Sequence, residues 1–118
     1  MAVHYLHLHP QPFELVRSGQ KTIESRLFDE KRQAYRIGDT LVFANRGNEQ
    51  ESINAEITNL HRFNSFRELF LSSDTQGKFS TNSLEKLIAG IELYYSNEDQ
   101  KKYGVVGIEF TIKDTKEF

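Results

Sequence analysis

Three charged side chains of complementary chemistry fall within six residues in the stretch Ser18-Gly19-Gln20-Lys21-Thr22-Ile23-Glu24-Ser25-Arg26. A lysine, a carboxylate and a guanidinium gathered in one hollow can do two kinds of work. They can bind: Arg26 offers a planar fork of donors to a phosphate or a carbonyl, Glu24 accepts from the amino group of a base, and Lys21 holds a phosphate as a point charge. They can also react, if burial leaves the Lys21 amine free to take up a proton beside Glu24. The same residues could instead be a surface ion pair, Glu24–Arg26 or Lys21–Glu24, worth only ~0–1 kcal/mol.

Other residues qualify for a site by type. His7 and His9 lie two apart, on one face of a strand, which is a spacing found in metal sites. With no cysteine and no third ligand in an obvious position, no metal site is expected. His7 is better read as a polar wall beside the charged trio, because the first strand is expected next to it. His4 and His61 read as structural or surface residues. Tyr94, Tyr95 and Tyr103 offer rings on which a base could stack, although at least one is expected in the core. Phe28 and Tyr35 flank a charged loop and are available to pack or to stack.

The elements that must position these groups follow from periodicity and punctuation. Ala2 to His9 alternates and predicts a strand with Leu6 and Leu8 facing the core. Pro10 and Pro12 open a helix that buries Phe13 and Val16, and Gly19 ends it by supplying a positive φ. Thr22 to Leu27 follows as a strand, on which Thr22, Glu24 and Arg26 share one face. Lys21, at the turn, leans over that face. Phe28 to Arg36 reads as a flap-like loop, and Gly38-Asp39 as a tight turn into a strand at Thr40 to Ala44.

The second half alternates the same two element types. Ser52 to Leu60 completes a hairpin with the preceding strand. Asn64 or Ser65 caps a helix with Phe66, Leu69 and Phe70 on its inner side. Ser72 to Phe79 reads as polar and mobile. Asn82 or Ser83 caps a further helix whose stripe is Leu84, Leu87, Ile88, Ile91 and the Tyr94-Tyr95 pair. Ser96 to Asp99 reads as a short helical turn with Lys101-Lys102 at its far end. Val105 to Ile112 is apolar on both faces and reads as a central strand. The expected organisation is a single domain over residues 1–112, of α+β barrel type, with a frayed tail over 113–118.

Composition narrows the function classes. The chain has 118 residues, 37% of them hydrophobic, which suffices for one real core. The absence of cysteine removes disulfides and thiol chemistry and suits a reducing cytoplasm. No apolar run approaches the ~20 residues of a membrane span, and no signal-peptide pattern opens the sequence. A net charge of −2 argues against a strong non-specific nucleic-acid binder. Between Arg17 and Arg46, however, seven basic residues face four acidic ones, so that segment is +3 and the remainder −5. Such a local excess can attract an anionic ligand to a slightly acidic molecule.

Gly19, Lys21, Glu24 and Arg26 form the pattern Gly-x-Lys-x-x-Glu-x-Arg, which resembles the signature of the ASCH domain, a family in the PUA-like superfamily. Three further landmarks stand in the family's order: Pro10-Gln-Pro-Phe-Glu-Leu-Val-Arg-Ser-Gly19, Arg36-Ile-Gly-Asp-Thr-Leu-Val-Phe43 and Tyr103-Gly-Val-Val-Gly-Ile-Glu-Phe110. The resemblance implies a PUA-like β-barrel of about five to six strands with helices inserted between them. It also implies a module that binds RNA or a nucleotide-like ligand, without a cofactor. Lys21 and Arg26 would meet its anionic groups, Glu24 a base or a hydroxyl, and His7 and Tyr35 the flanking surface.

The family also holds small amidohydrolases acting on N4-acetylcytidine through a Lys, a Thr and a Glu. Lys21 matches their lysine, but Glu24 stands at the threonine position, and neither Glu68, Asp74 nor Glu85 aligns with their glutamate. Lys21 and Glu24 would be the catalytic pair of any hydrolase built here. An RNase activity also occurs among such domains, with no motif to carry it over. A protein-interaction module is the third reading. Nothing in the sequence speaks to oligomeric state.

Overall fold

A computed structural model describes residues 1–116. Five strands, β1 (Val3–Leu8), β2 (Ile23–Leu27), β3 (Thr40–Asn45), β4 (Asn48–Phe63) and β5 (Val105–Lys116), form one sheet in the order β1-β3-β4-β5-β2. β1 runs parallel to β3, and every other neighbouring pair is antiparallel. The sheet curls into a half-barrel, an α+β architecture. β4 carries the curl: its sixteen residues pair with both β3 and β5, and its register with β5 shifts at Asn54/Ala55 and again at Ile57/Asn59. Such irregularities bend a strand and raise its twist.

Strict alternation divides the apolar residues between two cores. On one face Leu6, Leu41, Phe43, Ile53, Ile57, Val106, Ile108 and Phe110 pack under helix α1 (Pro10–Arg17), which contributes Phe13 and Val16. On the other, Ile23, Leu27 and Val105 pack against α3 (Phe66–Leu71) and α4 (Leu84–Glu92), through Phe66, Leu69, Phe70 and their neighbours. Val105 and Val106, adjacent in sequence, therefore serve different cores, as a period of two requires. β5, paired on both sides and apolar on both faces, is a central strand. Gly107 lies where α3 presses closest: an added Cβ would stand 2.8 Å from Leu69 Cδ1 and 3.1 Å from Ile23 Cγ2.

The caps explain where helices begin. Ser65 accepts from the Glu68 amide, Ser83 from Lys86 and Ser96 from Asp99, which opens α5 (Asn97–Tyr103). Several expectations from sequence need correction. β1 does not lie beside β2; the two are the opposite edges of the sheet. The loop from Phe28 to Arg36 contains a short helix α2 (Glu30–Gln33), capped when Asp29 accepts from the Arg32 amide. α4 stops at Glu92, so the Tyr94-Tyr95 pair follows the helix: Tyr95 still packs against the same core as Leu84, Leu87, Ile88 and Ile91, whereas Tyr94 is exposed.

The segment 72–79 has local structure of its own where a polar, mobile stretch is expected. It holds a 3-10 turn over Ser73–Thr75, buries Phe79, and fixes itself by a Thr75 hydroxyl donating to Leu69 O at 2.7 Å and Gln76 Nε2 donating to Phe70 O at 2.8 Å. β5 also runs on past Ile112 to Lys116, because β4 extends far enough to supply Ser52 as a partner for that residue. The last two positions of the expected tail, 117–118, lie outside the described residues.

Candidate functional site

The placement of Lys21, Glu24 and Arg26 begins with how α1 stops. Gly19 takes φ +83°, and the chain turns back so that the Gly19 amide donates to Val16 O and the Lys21 amide to Leu15 O, both near 3 Å. A residue with a Cβ is strained at that φ, so the turn belongs to glycine. The next two amides, of Thr22 and Ile23, donate to Lys78 O. Lys21 is thus clamped between the end of α1 and the 72–79 segment before β2 starts. Along β2, Glu24 is paired with Ile108 and Arg26 with Val106, two residues of the core beneath α1. Ile23 and Leu27 face the other core. Alternation alone therefore turns Glu24 and Arg26 to the same side.

The three side chains meet as a compact charge group. Lys21 Nζ donates to Glu24 Oε2 at 3.2 Å, and Arg26 Nε stands 3.6 Å from Glu24 Oε1. Their side chains are 14%, 8% and 19% exposed for Lys21, Glu24 and Arg26, so this is no solvated surface pair. Burial by itself opposes ionisation of Glu24. The Lys21 and Arg26 charges outweigh it, helped by hydrogen bonds from Lys21 and the Ser25 amide, and hold the carboxyl below its ordinary range.

This group lines a cleft of about 330 Å³ off the free edge of β2. His7, His9 and Pro12 come from β1 and the start of α1, and Arg46 from the β3–β4 turn. The opposite wall is apolar and aromatic, built by Phe70, Phe79, Leu87, Ile91, Tyr94 and Tyr95, with Lys86 among them. One wall therefore offers charge and the other offers flat hydrocarbon, an arrangement suited to a ligand with both an apolar face and polar or anionic edges.

Of the residues singled out from sequence, Lys21, Glu24, Arg26 and His7 converge on this cleft, as do His9 and the rings of Tyr94 and Tyr95, while Tyr103 does not line it. His7 arrives by the curl of the sheet and not by strand pairing. Tyr35 does not converge. It is 2% exposed in the core and stacked on His4 at 4.0 Å. A ring that follows a charged loop is expected at the surface, but α2 folds that loop back over the barrel. His4 is indeed structural: its Nε2 lies 2.8 Å from Asp39 Oδ2 in the turn before β3.

The basic segment from Arg17 to Arg46 does not act as one patch. Arg17 pairs with Glu14, Arg32 with Asp29, Lys31 donates to Tyr5 O and Arg36 to Gln33 O. Only Lys21, Arg26 and Arg46 of that segment reach the cleft. Arg46, Lys86, Ser25 and, on the far wall, Phe70, Phe79, Leu87 and Ile91 were not assigned from sequence. The local charge excess pointed toward Arg46; no short-range signal pointed to Lys86 or Phe79. Among the described residues, no group of three His, Asp or Glu side chains is placed to hold a metal ion, and no helix is long and apolar enough to cross a membrane.

Comparison with known proteins gives a consistent result. The chain is similar to the hypothetical protein PH0355, whose crystal structure it matches with a TM-score of 0.79 at 30% identity, covering 96% of this chain and 100% of that one. It is similar to protein PF0455 from Pyrococcus furiosus, solved in solution, with a TM-score of 0.69 at 31% identity over 95% and 97% of the two chains. The ASCH domain from Lactobacillus crispatus JV V101 shares the fold at a TM-score of 0.66 and 14% identity, over 94% of this chain and 79% of that one. No curated protein matches. A sequence model of the ASCH domain matches residues 6–114, so nearly the whole length is accounted for, and the chain belongs to the ASCH domain family.

Proposed function

We propose that this protein is a nucleotide-recognition module, taking either a free nucleotide or one nucleotide of a single-stranded RNA into the cleft beside β2. The observation that carries this reading is the buried Lys21-Glu24-Arg26 group facing an aromatic wall across a cleft of about 330 Å³. A base could lie against Phe70, Phe79 and Tyr94, where stacking contributes ~1–3 kcal/mol per base. Glu24, held ionised, can only accept hydrogen bonds, so it favours an amino group or a hydroxyl. Lys21, Arg26 and Arg46 supply positive charge for phosphate, and His7 a polar rim. Membership of the ASCH family supports the same direction, since RNA binding is the general expectation for the fold.

Hydrolysis of a modified nucleoside has weaker support. Among the described residues Glu24 is the one carboxylate lining the cleft, and it is already engaged by Lys21 and Arg26. The position where the related amidohydrolases carry threonine is that same Glu24. Calorimetric titration of the four ribonucleoside monophosphates, at low and moderate salt, tests the proposal. Saturable binding that Lys21→Ala abolishes is the expected result. No heat with any of them, or a Lys21→Ala variant that binds like the parent, would count against it. Turnover of acylated cytidine by the parent and not by Glu24→Gln would move the assignment to the hydrolase.

A further inference from the structure

Resting on that reading, we infer that the cleft is one end of a longer site: a second, open groove of about 640 Å³ between β4 and α5 carries the backbone of a single-stranded RNA whose terminal or flipped-out nucleotide occupies the cleft. Arg62 and Phe63 supply its β4 side, and Lys101, Lys102 and Gly104 the end of α5. Three of its lining residues are cations and one is an acid, and that acid, Glu68, is turned to its own chain, accepting from the Asn64 amide at 3.3 Å.

The groove and the cleft are joined by a continuous row of side chains. Val106 is the strand partner of Arg26 on one side and of Arg62 on the other. Residues directly opposite each other in a sheet point to the same face, and the three backbones span about 10 Å at a strand spacing of ~4.8 Å. Phe28, two residues beyond Arg26 and on the same side, fills the gap. Its amide donates to the carbonyl of Gly104 on the groove wall, and Arg62 lies 3.7 Å over its ring. The positive charge thus passes from Lys21 and Arg26, over Phe28 and Arg62, to Lys102 and Lys101.

The pairing pattern agrees. Arg17, Arg32, Lys78 and Lys113 each have a carboxylate within 4.0 Å. Among the described residues, Arg46 and Lys86 on the cleft and Arg62, Lys101 and Lys102 on the groove have none, and neither do Lys31, Arg36 and Arg67 elsewhere, the first two of which donate to backbone carbonyls instead. Most of the cations left without carboxylates therefore lie along these two concavities, an arrangement that suits phosphate neutralisation. The lysines also suit the C-terminus of α5. That role requires no groove beside them and no Arg62 in line with Arg26.

The test compares a ribonucleoside monophosphate with a single-stranded RNA of about 10 nucleotides, a length within the range of one small-barrel site. Both are titrated over a series of salt concentrations against the parent and the double variant Lys101→Ala/Lys102→Ala. Both lysines are exposed, so the fold tolerates the change. The longer RNA should bind the parent more tightly than the monophosphate. The double variant should bind the monophosphate unchanged but bind the RNA more weakly, with the slope of log K against log salt falling by about 1.4, or ~0.7 for each phosphate that is no longer neutralised. Equal affinity of the parent for both ligands would overturn the inference and leave the cleft assignment intact. An unaltered RNA affinity in the double variant would do the same. No binding of either ligand would remove both. If polyglutamate displaces the RNA as effectively as unlabelled RNA does, the groove is a general acid-binding surface and the inference falls.

Discussion

Replacing Glu24 by glutamine tests the centre of the site without changing its shape. The substitution removes one negative charge that Lys21 and Arg26 share, at 3.2 Å and 3.6 Å. Truncating a fully buried ion pair costs ~3–5 kcal/mol, whereas an exposed one is worth ~0–1 kcal/mol. Lys21 and Arg26 keep 14% and 19% of their side-chain surface, and glutamine still accepts one hydrogen bond, so a loss of about 2 kcal/mol at neutral pH is expected. With ~2.1 cal/mol/K of unfolding entropy per residue over 118 residues, that corresponds to about 8 °C in Tm.

The pH dependence is the sharper part of this prediction. The folded-state pKa of Glu24 is lowered, so its contribution is present above the unfolded-state value and is lost as pH falls through the folded one. Asp39 and Glu109 are also lowered and will weaken the protein in acid, but they do so equally in both forms. The difference between parent and Glu24→Gln should therefore shrink toward zero in acid while both proteins become less stable. Urea denaturation followed by tyrosine fluorescence and circular dichroism, across the acid range, measures it. A difference that is constant with pH, or no difference at neutral pH, would refute the ionised, shared carboxylate on which the functional reading depends.

Two further substitutions separate the scaffold from the site. Gly107→Ala places a methyl 2.8 Å from Leu69 Cδ1 and 3.1 Å from Ile23 Cγ2, and both neighbours are fully buried. A loss of ~1–3 kcal/mol in denaturant midpoint terms is expected, and parent-like stability would show that α3 does not press on β5 as described. Tyr94 is 67% exposed at the rim of the cleft, whereas Tyr95 stacks on Phe66 at 5.3 Å. Tyr94→Ala should leave Tm nearly unchanged and weaken nucleotide binding by ~1–3 kcal/mol, the usual worth of one base–aromatic stack. Unchanged affinity would place the base elsewhere in the cleft.

The stabilities of β2 and of the cleft are tied together by the 72–79 segment. Its Lys78 carbonyl receives the Thr22 and Ile23 amides, its Phe79 forms part of the aromatic wall, and its Lys78 ammonium pairs with Glu109, which also holds His61 at 2.7 Å. A polar stretch that would be free in isolation thus becomes the strut between the charged wall and the apolar one. Its Ser, Asp and Gly content suggests mobility because those residues favour turns, but the turn they form here is closed by side-chain bonds from Thr75 and Gln76.

What could be learned from the amino-acid order alone was everything governed by neighbours in the chain. Gly19 ends α1, alternation puts Glu24 and Arg26 on one side with Lys21 above them, and serine caps start the later helices, each depending on fewer than about ten consecutive residues; the family is declared by four short landmarks in order along the chain. The burial of Tyr35 and most of the far wall, beyond Tyr94 and Tyr95, were out of that reach. Whether a tyrosine stacks on His4 or faces water depends on where the chain around α2 folds, and Lys86 and Phe79 share a cleft with Glu24 only once the distant segments that carry them come together. The position of His7 makes the same point, since its strand lies at the opposite edge of the sheet and comes to the cleft by curvature. Local order sets periodicity and backbone turns, while the burial of two apolar faces, summed over the whole chain, sets sheet order, curl and therefore which distant side chains share a cavity.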